Sequence, residues 1–135
     1  MASTRQKVIK GLDAIFSKFI RMRASDDSGY AECFTCGKTS RWKEGDAGHF
    51  MSRGAYSTRW NETNVQFQCK RCNIFQNGQQ YLYSVALDGR YGGGTADALY
   101  TLSKQTRKFS EGELRAMIEI YKDKVEELRE AKGLE

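Results

Sequence analysis

Cys33-Phe34-Thr35-Cys36-Gly37 and Cys69-Lys70-Arg71-Cys72-Asn73 are the two stretches whose reading decides the fold of this chain. In each, a two-residue spacer lets two thiolates converge on one ion, and four thiolates close a tetrahedral site. Each pair therefore reads as a zinc knuckle, with Cys33, Cys36, Cys69 and Cys72 expected to hold one structural zinc per chain. Two structural disulfides are the competing reading. They require an oxidising compartment, which no secretory signal supports. The only histidine, His49, lies between the two pairs, so the proposed scaffold encloses a candidate reactive group.

Outward from the knuckles, 135 residues suit a single domain with a modest core that a metal staple would reinforce. Met1-Ala-Ser-Thr-Arg opens an amphipathic helix rather than an apolar targeting stretch. No run approaches the length needed to span a bilayer, so a cytoplasmic protein without a membrane partner is expected. The chain carries 22 Lys and Arg against 17 Asp and Glu, a net charge of +5 that favours a polyanionic partner. Arg41, Lys43, Arg53, Arg59, Lys70 and Arg71 are interleaved with Trp42, Phe50, Tyr56, Trp60 and Phe67 around the cysteines, while acids gather in the C-terminal helix. Such charges can also be an ordinary solvated face.

Ser3 and Gln6 stand in capping-box register, and Val8, Leu12, Ile15, Phe19 and Met22 follow at helical spacing, widened by Ile9, Phe16 and Ile20. This predicts an N-terminal helix over 4–23. Residues 30–78 should form the zinc-bound core: a first knuckle within 30–46, an extended segment over 46–51, a loop at Ser52, Arg53 and Gly54, and a partner strand within 60–68. A short helix carrying Asn73, Gln76 and Asn77 should leave the second knuckle. Residues 79–135 should be helical, with 79–87 as one helix and Gly92-Gly93-Gly94 as a break. Thr95 is the expected cap of a short helix ending at Leu102. The glycine run could cradle a phosphate, although such runs are more often plain loops. Ser110 and Glu113 form a second capping box, from which Leu114, Ile118, Tyr121, Val125 and Leu128 continue a helical stripe over 110–131. The two terminal stripes can pack on each other within one chain or across a homodimer.

Asp46-Ala47-Gly48-His49-Phe50 lies between the knuckles, Asn64 precedes the second one, and Asn73 follows its last cysteine. This histidine, asparagine, asparagine order resembles the HNH, or ββα-metal, nucleases. More narrowly, Cys33 to Gly92, especially Asp46-Ala-Gly-His49, Arg59-Trp-Asn-Glu-Thr-Asn64 and Cys69-x-x-Cys72-Asn73, looks like the NinG (Rap) recombination endonucleases of lambdoid phages. The resemblance implies an α+β fold: a zinc-stapled ββα-metal core flanked by N- and C-terminal amphipathic helices. It also implies a metal-dependent DNA endonuclease acting on branched recombination intermediates, such as four-way junctions or displacement loops, in the cytoplasm of a bacterial host.

Phosphodiester hydrolysis needs a deprotonated water, charge neutralisation on the phosphoryl oxygens and stabilisation of the leaving alkoxide. His49, with an ordinary pKa of about 6.5, can take the water's proton. Asn64, on a facing strand, is the expected residue to orient its ring. Asp46 and Asn73 are the expected ligands of a catalytic magnesium or manganese ion, which keeps several waters and needs few protein oxygens. Asp-plus-Asn ligation is also what the related recombination endonuclease VII family implies. Many HNH sites place the acid directly before the base, whereas here that position is Gly48. A bulge at Gly48 would turn Asp46 and His49 to one side. His49 can alternatively be a metal ligand or a structural residue. Arg53, Arg59, Lys70 and Arg71 are the expected phosphate contacts, and Glu62 is a nearby spare carboxylate.

Two other functions fit parts of this pattern. A non-catalytic zinc-ribbon DNA-binding module needs the knuckles and arginines but not Asp46, His49, Asn64 and Asn73. A sequence-specific HNH nicking enzyme keeps the chemistry and changes the substrate.

Overall fold

A computed structural model describes residues 3–135 as an α+β fold built from helices and two small two-stranded sheets. Helix α1 (Thr4–Ala24) begins at a complete Ser3/Gln6 capping box. Helix α5 (Glu111–Lys132) begins at a complete Ser110/Glu113 box and ends at Gly133 with φ +66°. Each box satisfies two otherwise orphaned donors, and an N-cap is worth about 1 kcal/mol. The C-terminal end of α1 is capped from the far end of the chain. Lys132 Nζ donates to the carbonyls of Met22, Arg23 and Ser25 at 3.1, 3.0 and 2.6 Å, placing a cation at the negative helix end.

The apolar stripes of α1 and α5 meet within the chain. Leu12, Phe16, Ile20, Met22, Val65 and Leu114 are almost fully buried in one cluster, with Tyr121 and Val125 beside them. The Tyr121 ring meets the edge of Phe16 at 4.9 Å and 90°, a favoured quadrupolar arrangement. The two stripes thus cover each other within one chain. Among the described residues, no helix is long and apolar enough to cross a membrane.

Strands β1 (Tyr30–Glu32) and β2 (Thr39–Arg41) form an antiparallel hairpin with the first knuckle at its tip. Strands β3 (Asp46–His49) and β4 (Val65–Gln68) pair antiparallel, Asp46 opposite Gln68 and His49 opposite Val65. The connection contains a single helical turn, α2 (Tyr56–Arg59). After β4 the chain makes one wide turn over Arg71–Phe75, in which Gln76 N–H reaches the Arg71 carbonyl at 2.9 Å. The expected short helix is thus present as a single π-helical turn that carries Asn73 and ends before Gln76 and Asn77. Asn77, Gly78 and Gln79 all take positive φ (51°, 81° and 54°) and turn the chain away before α3 (Gln80–Tyr91) begins.

A second, smaller core joins α3 to α4 (Thr95–Ser103) through Phe50, Tyr83, Leu87, Ala96 and Leu99. Tyr83 anchors α3 to the β3–β4 hairpin, its buried hydroxyl lying 2.7 Å from the Gly48 carbonyl and 3.2 Å from that of Asn64. Gly92–Gly94 forms the turn between α3 and α4, with Gly92 and Gly94 at φ 113° and 93°. Thr95 is not the cap of α4. Its hydroxyl bonds back to Gly92, and Asp88 Oδ1 accepts the Ala96 N–H instead.

Candidate functional site

The four cysteine sulfurs lie within 4.8 Å of one another, and none is in a disulfide. Cys36 Sγ and Cys69 Sγ are 3.7 Å apart, close to the edge of about 3.8 Å expected for a tetrahedron with metal–sulfur bonds of about 2.3 Å. The first knuckle closes because Gly37, at φ +79°, turns its N–H onto the Cys33 carbonyl while Lys38 N–H points at Cys36 Sγ. Burial opposes ionisation of Cys33, but the Thr35 hydroxyl and the N–H groups of Cys69, Cys36 and Thr35 outweigh it and hold the thiol at about 6. Burial, joined by the three neighbouring sulfurs, pushes Cys36 up to about 12 against the Lys38 N–H. Four thiolates cannot share this space without a cation, and the four cysteines can hold a zinc ion.

Beside the hairpin lies a cleft of about 570 Å³ lined by Asp13, Ser17, Asp46, His49, Arg53 and Asn73, among others. His49 Nε2 is 2.9 Å from the Arg59 carbonyl oxygen. A carbonyl only accepts, so Nε2 carries the proton and Nδ1 keeps the lone pair. Burial pushes the imidazole below its ordinary value of 6.5; the bond to Arg59 opposes this and the charge of Arg53 adds to it. His49 is thus neutral near pH 7.

Asp46 and Asn73 are brought together, with Asn73 Nδ2 donating to Asp46 Oδ2 at 3.1 Å. Lys70 Nζ meets the other carboxylate oxygen at 2.7 Å. A carboxylate and an amide at one wall of a cleft match the sparse oxygen donor set that magnesium or manganese takes from a protein. The position already stabilises one positive charge, that of Lys70. No bulge interrupts β3 at Gly48, whose pairing with Gln66 is in register. Asp46 instead sits at the strand end, turned toward Lys70 and Asn73 by its hydrogen bonds. A Cβ on Gly48 would lie 1.9 Å from Gln68 Oε1, so an acid at this position, directly before His49, would collide with a buried side chain.

Two expected roles are corrected. Asn64 does not hold the imidazole: it is fully buried, its Oδ1 accepting from Met51 N–H and its Nδ2 donating to the Met51 and Thr58 carbonyls. It fastens the ends of the loop that carries Arg53 and leaves ring orientation to Arg59. Arg59 is not free for phosphate. Its guanidinium grips Asp13 through Nε–Oδ1 at 3.1 Å and Nη2–Oδ2 at 2.6 Å, and Trp60 Nε1 donates to the same carboxylate. Arg53 approaches the same Asp13 carboxylate at 3.8 Å but remains largely exposed at the cleft, Arg71 is exposed, and Lys70 is half exposed while paired with Asp46. Glu62 faces α5, bonded to Tyr121 Oη at 2.8 Å and Lys124 Nζ at 3.1 Å.

Asp13 is the site residue that sequence reasoning missed, although an acid beside Leu12 within the broad apolar face of α1 was its signal. Gln68 is the second. Buried at the end of β4, its Nε2 donates to Thr35 Oγ1 in the first knuckle at 3.1 Å and to the Gly78 carbonyl at the cleft at 3.0 Å.

Residues 1–131 match the profile of the family described as Bacteriophage Lambda NinG protein. The chain is 31% identical over 128 residues to Protein ninG of Salmonella phage P22 and, equally, to Protein ninG of Escherichia phage lambda. Each alignment covers 93% of this chain and 59% of the relative. Protein ninG of Escherichia phage 933W is 29% identical over 128 residues, 93% of this chain and 60% of its own. The chain thus spans about three fifths of the length of these relatives. No solved structure matches it. The match over nearly its whole length places the chain in the NinG family of bacteriophage proteins.

Proposed function

We propose that this protein is a metal-dependent endonuclease that hydrolyses phosphodiester bonds in DNA, with the β3–β4 hairpin and the turn over Arg71–Phe75 serving as a ββα-metal core. The observation that carries this reading is a neutral imidazole fixed by the Arg59 carbonyl, lining the same cleft as the Asp46–Asn73 pair. His49 Nδ1 accepts the proton of the attacking water, and the bond from Nε2–H to Arg59 steadies the imidazolium that forms. Asp46 and Asn73 would hold magnesium or manganese, which when bound supplies charge neutralisation at the phosphoryl and leaving oxygens. Arg53 and Arg71 contact flanking phosphates, and Lys70 joins them when it leaves Asp46. The cysteine cluster binds zinc and keeps the hairpin and Asn73 in place.

Branched recombination intermediates are the substrates suggested by resemblance to the NinG (Rap) endonucleases. The test is incubation of labelled linear, flapped, displacement-loop and four-way DNA with magnesium or manganese, beside His49→Ala. Metal-dependent cleavage lost in the variant is the expected result. DNA binding without cleavage of any substrate would leave a zinc-ribbon binding module as the function.

A further inference from the structure

The rim of the cleft carries large apolar side chains that the fold leaves in water. Phe75 and Tyr81 are 76% and 78% exposed, and Ile74, Leu82 and Val85 are also exposed, whereas Tyr83 and Leu87 of the same helix enter the second core. Phe75 follows Ile74 and Tyr81 follows Gln80, and both Ile74 and Gln80 line the cleft. The chain between the two aromatics runs through left-handed Asn77 and Gln79, conformations that side-chain-bearing residues rarely adopt and that cluster at functional sites. Exposed amides, Gln76, Asn77 and Gln80, lie in the chain between the two rings. Gln76 and Asn77 make no side-chain hydrogen bond among the described residues, and exposed Lys70 and Arg71 lie just upstream.

We propose that Ile74–Tyr81 is a docking strip for an unpaired nucleobase, on which Phe75 and Tyr81 stack while Gln76 and Asn77 bond its edge. The proposal rests on the nuclease reading for which bond is cut, but not for what the strip binds. The composition favours a base over a protein partner: aromatics beside amides and cations are how proteins hold unpaired nucleotides, with rings on base faces and cations on phosphates. A paired and stacked base offers no free face, so the strip selects DNA with a flap, a displaced strand or an opened branch. The adjoining cleft then receives a phosphodiester close to that opening.

The test uses the full chain with chelator present, so that binding is read without cleavage. A duplex with a single-stranded arm carrying 2-aminopurine is compared with a fully paired duplex, for the wild type and Phe75→Ala/Tyr81→Ala. Stacking should quench 2-aminopurine fluorescence on the wild type. The double variant should lose the quenching and bind the armed substrate about 10-fold or more weakly, with duplex affinity largely unchanged; Phe75→Tyr should retain both. Equal weakening on both substrates, or no change on the armed one, would overturn the proposal, as would an effect confined to self-association in light scattering. Absence of cleavage when magnesium or manganese is restored to the wild type would sink the nuclease reading alone, because the quenching result is independent of it.

Discussion

His49 donates its Nε2 proton to the backbone carbonyl of Arg59 at 2.9 Å, and this contact leaves Nδ1 as the basic nitrogen. Rate should therefore follow the neutral ring. Because burial depresses the imidazole below 6.5, cleavage should rise with pH along a limb lying below that value and be level through neutrality. His49→Ala should lower turnover about 100- to 10,000-fold with DNA affinity largely kept. A limb centred above pH 7, or near-wild-type turnover in the variant, would exclude His49 as the base.

Asp13 lines the cleft and grips Arg59, whose carbonyl holds His49. Asp13→Ala leaves a guanidinium with only 14% side-chain exposure without its partner, and breaking such a pair should cost about 3 kcal/mol. Calorimetry should show Tm falling by about 10 °C. At temperatures where the variant is folded, the pH limb of cleavage should also shift, since the carbonyl that holds His49 belongs to Arg59. A shift in neither quantity would mean that the Asp13–Arg59 pair is dispensable.

Asn64→Ala removes three hydrogen bonds from a fully buried position and strands the Met51 N–H. The expected loss is about 3 kcal/mol of stability, measurable as a lower urea midpoint. An unchanged midpoint with reduced turnover would restore the ring-orienting role that the sequence suggests for Asn64.

Metal analysis should find one zinc per chain, lost in Cys69→Ser. Loss of zinc should loosen the β3–β4 hairpin and α3 before it affects the α1–α5 pair, whose core does not include the cysteines. Hydrogen exchange by region reads this order directly. Zinc-free protein with unchanged protection throughout would remove the structural role.

Neutralising Arg53 and Arg71 should each lower the log–log salt slope of duplex binding by about 0.9. Arg59→Gln should instead lower Tm, because its charge is spent on Asp13. An unchanged slope for Arg53 and Arg71 together would mean that DNA approaches another face.

Local signals in the sequence carry far. The cysteine spacing and the two capping boxes each depend on neighbours within a few residues, and α1 and α5 begin where Ser3 and Ser110 place them. Asp46 and Asn73 share the knuckle's register and do meet. What cannot be read locally is any bond that closes over a loop: Asn64 depends on where Met51 and Thr58 arrive, and Arg59 on a carboxylate 46 residues away. The left-handed run at Asn77–Gln79 defeats helical periodicity because backbone dihedrals, not side-chain pattern, end the turn there.

Gln68 holds Thr35 of the first knuckle and the Gly78 carbonyl on the cleft rim with one buried amide nitrogen, in space that exists only because residue 48 lacks a Cβ. One amide thus bonds both the sulfur-bearing knuckle and the cleft rim, and ion uptake at the first is expected to be felt at the second. Coupling of this kind is reciprocal: if filling the knuckle tightens binding at the rim by some factor, occupying the rim must slow or weaken zinc loss by the same factor in equilibrium terms. If the cleft takes up nucleic acid as proposed, the rate at which a chelator strips zinc from the knuckles should then differ with and without DNA.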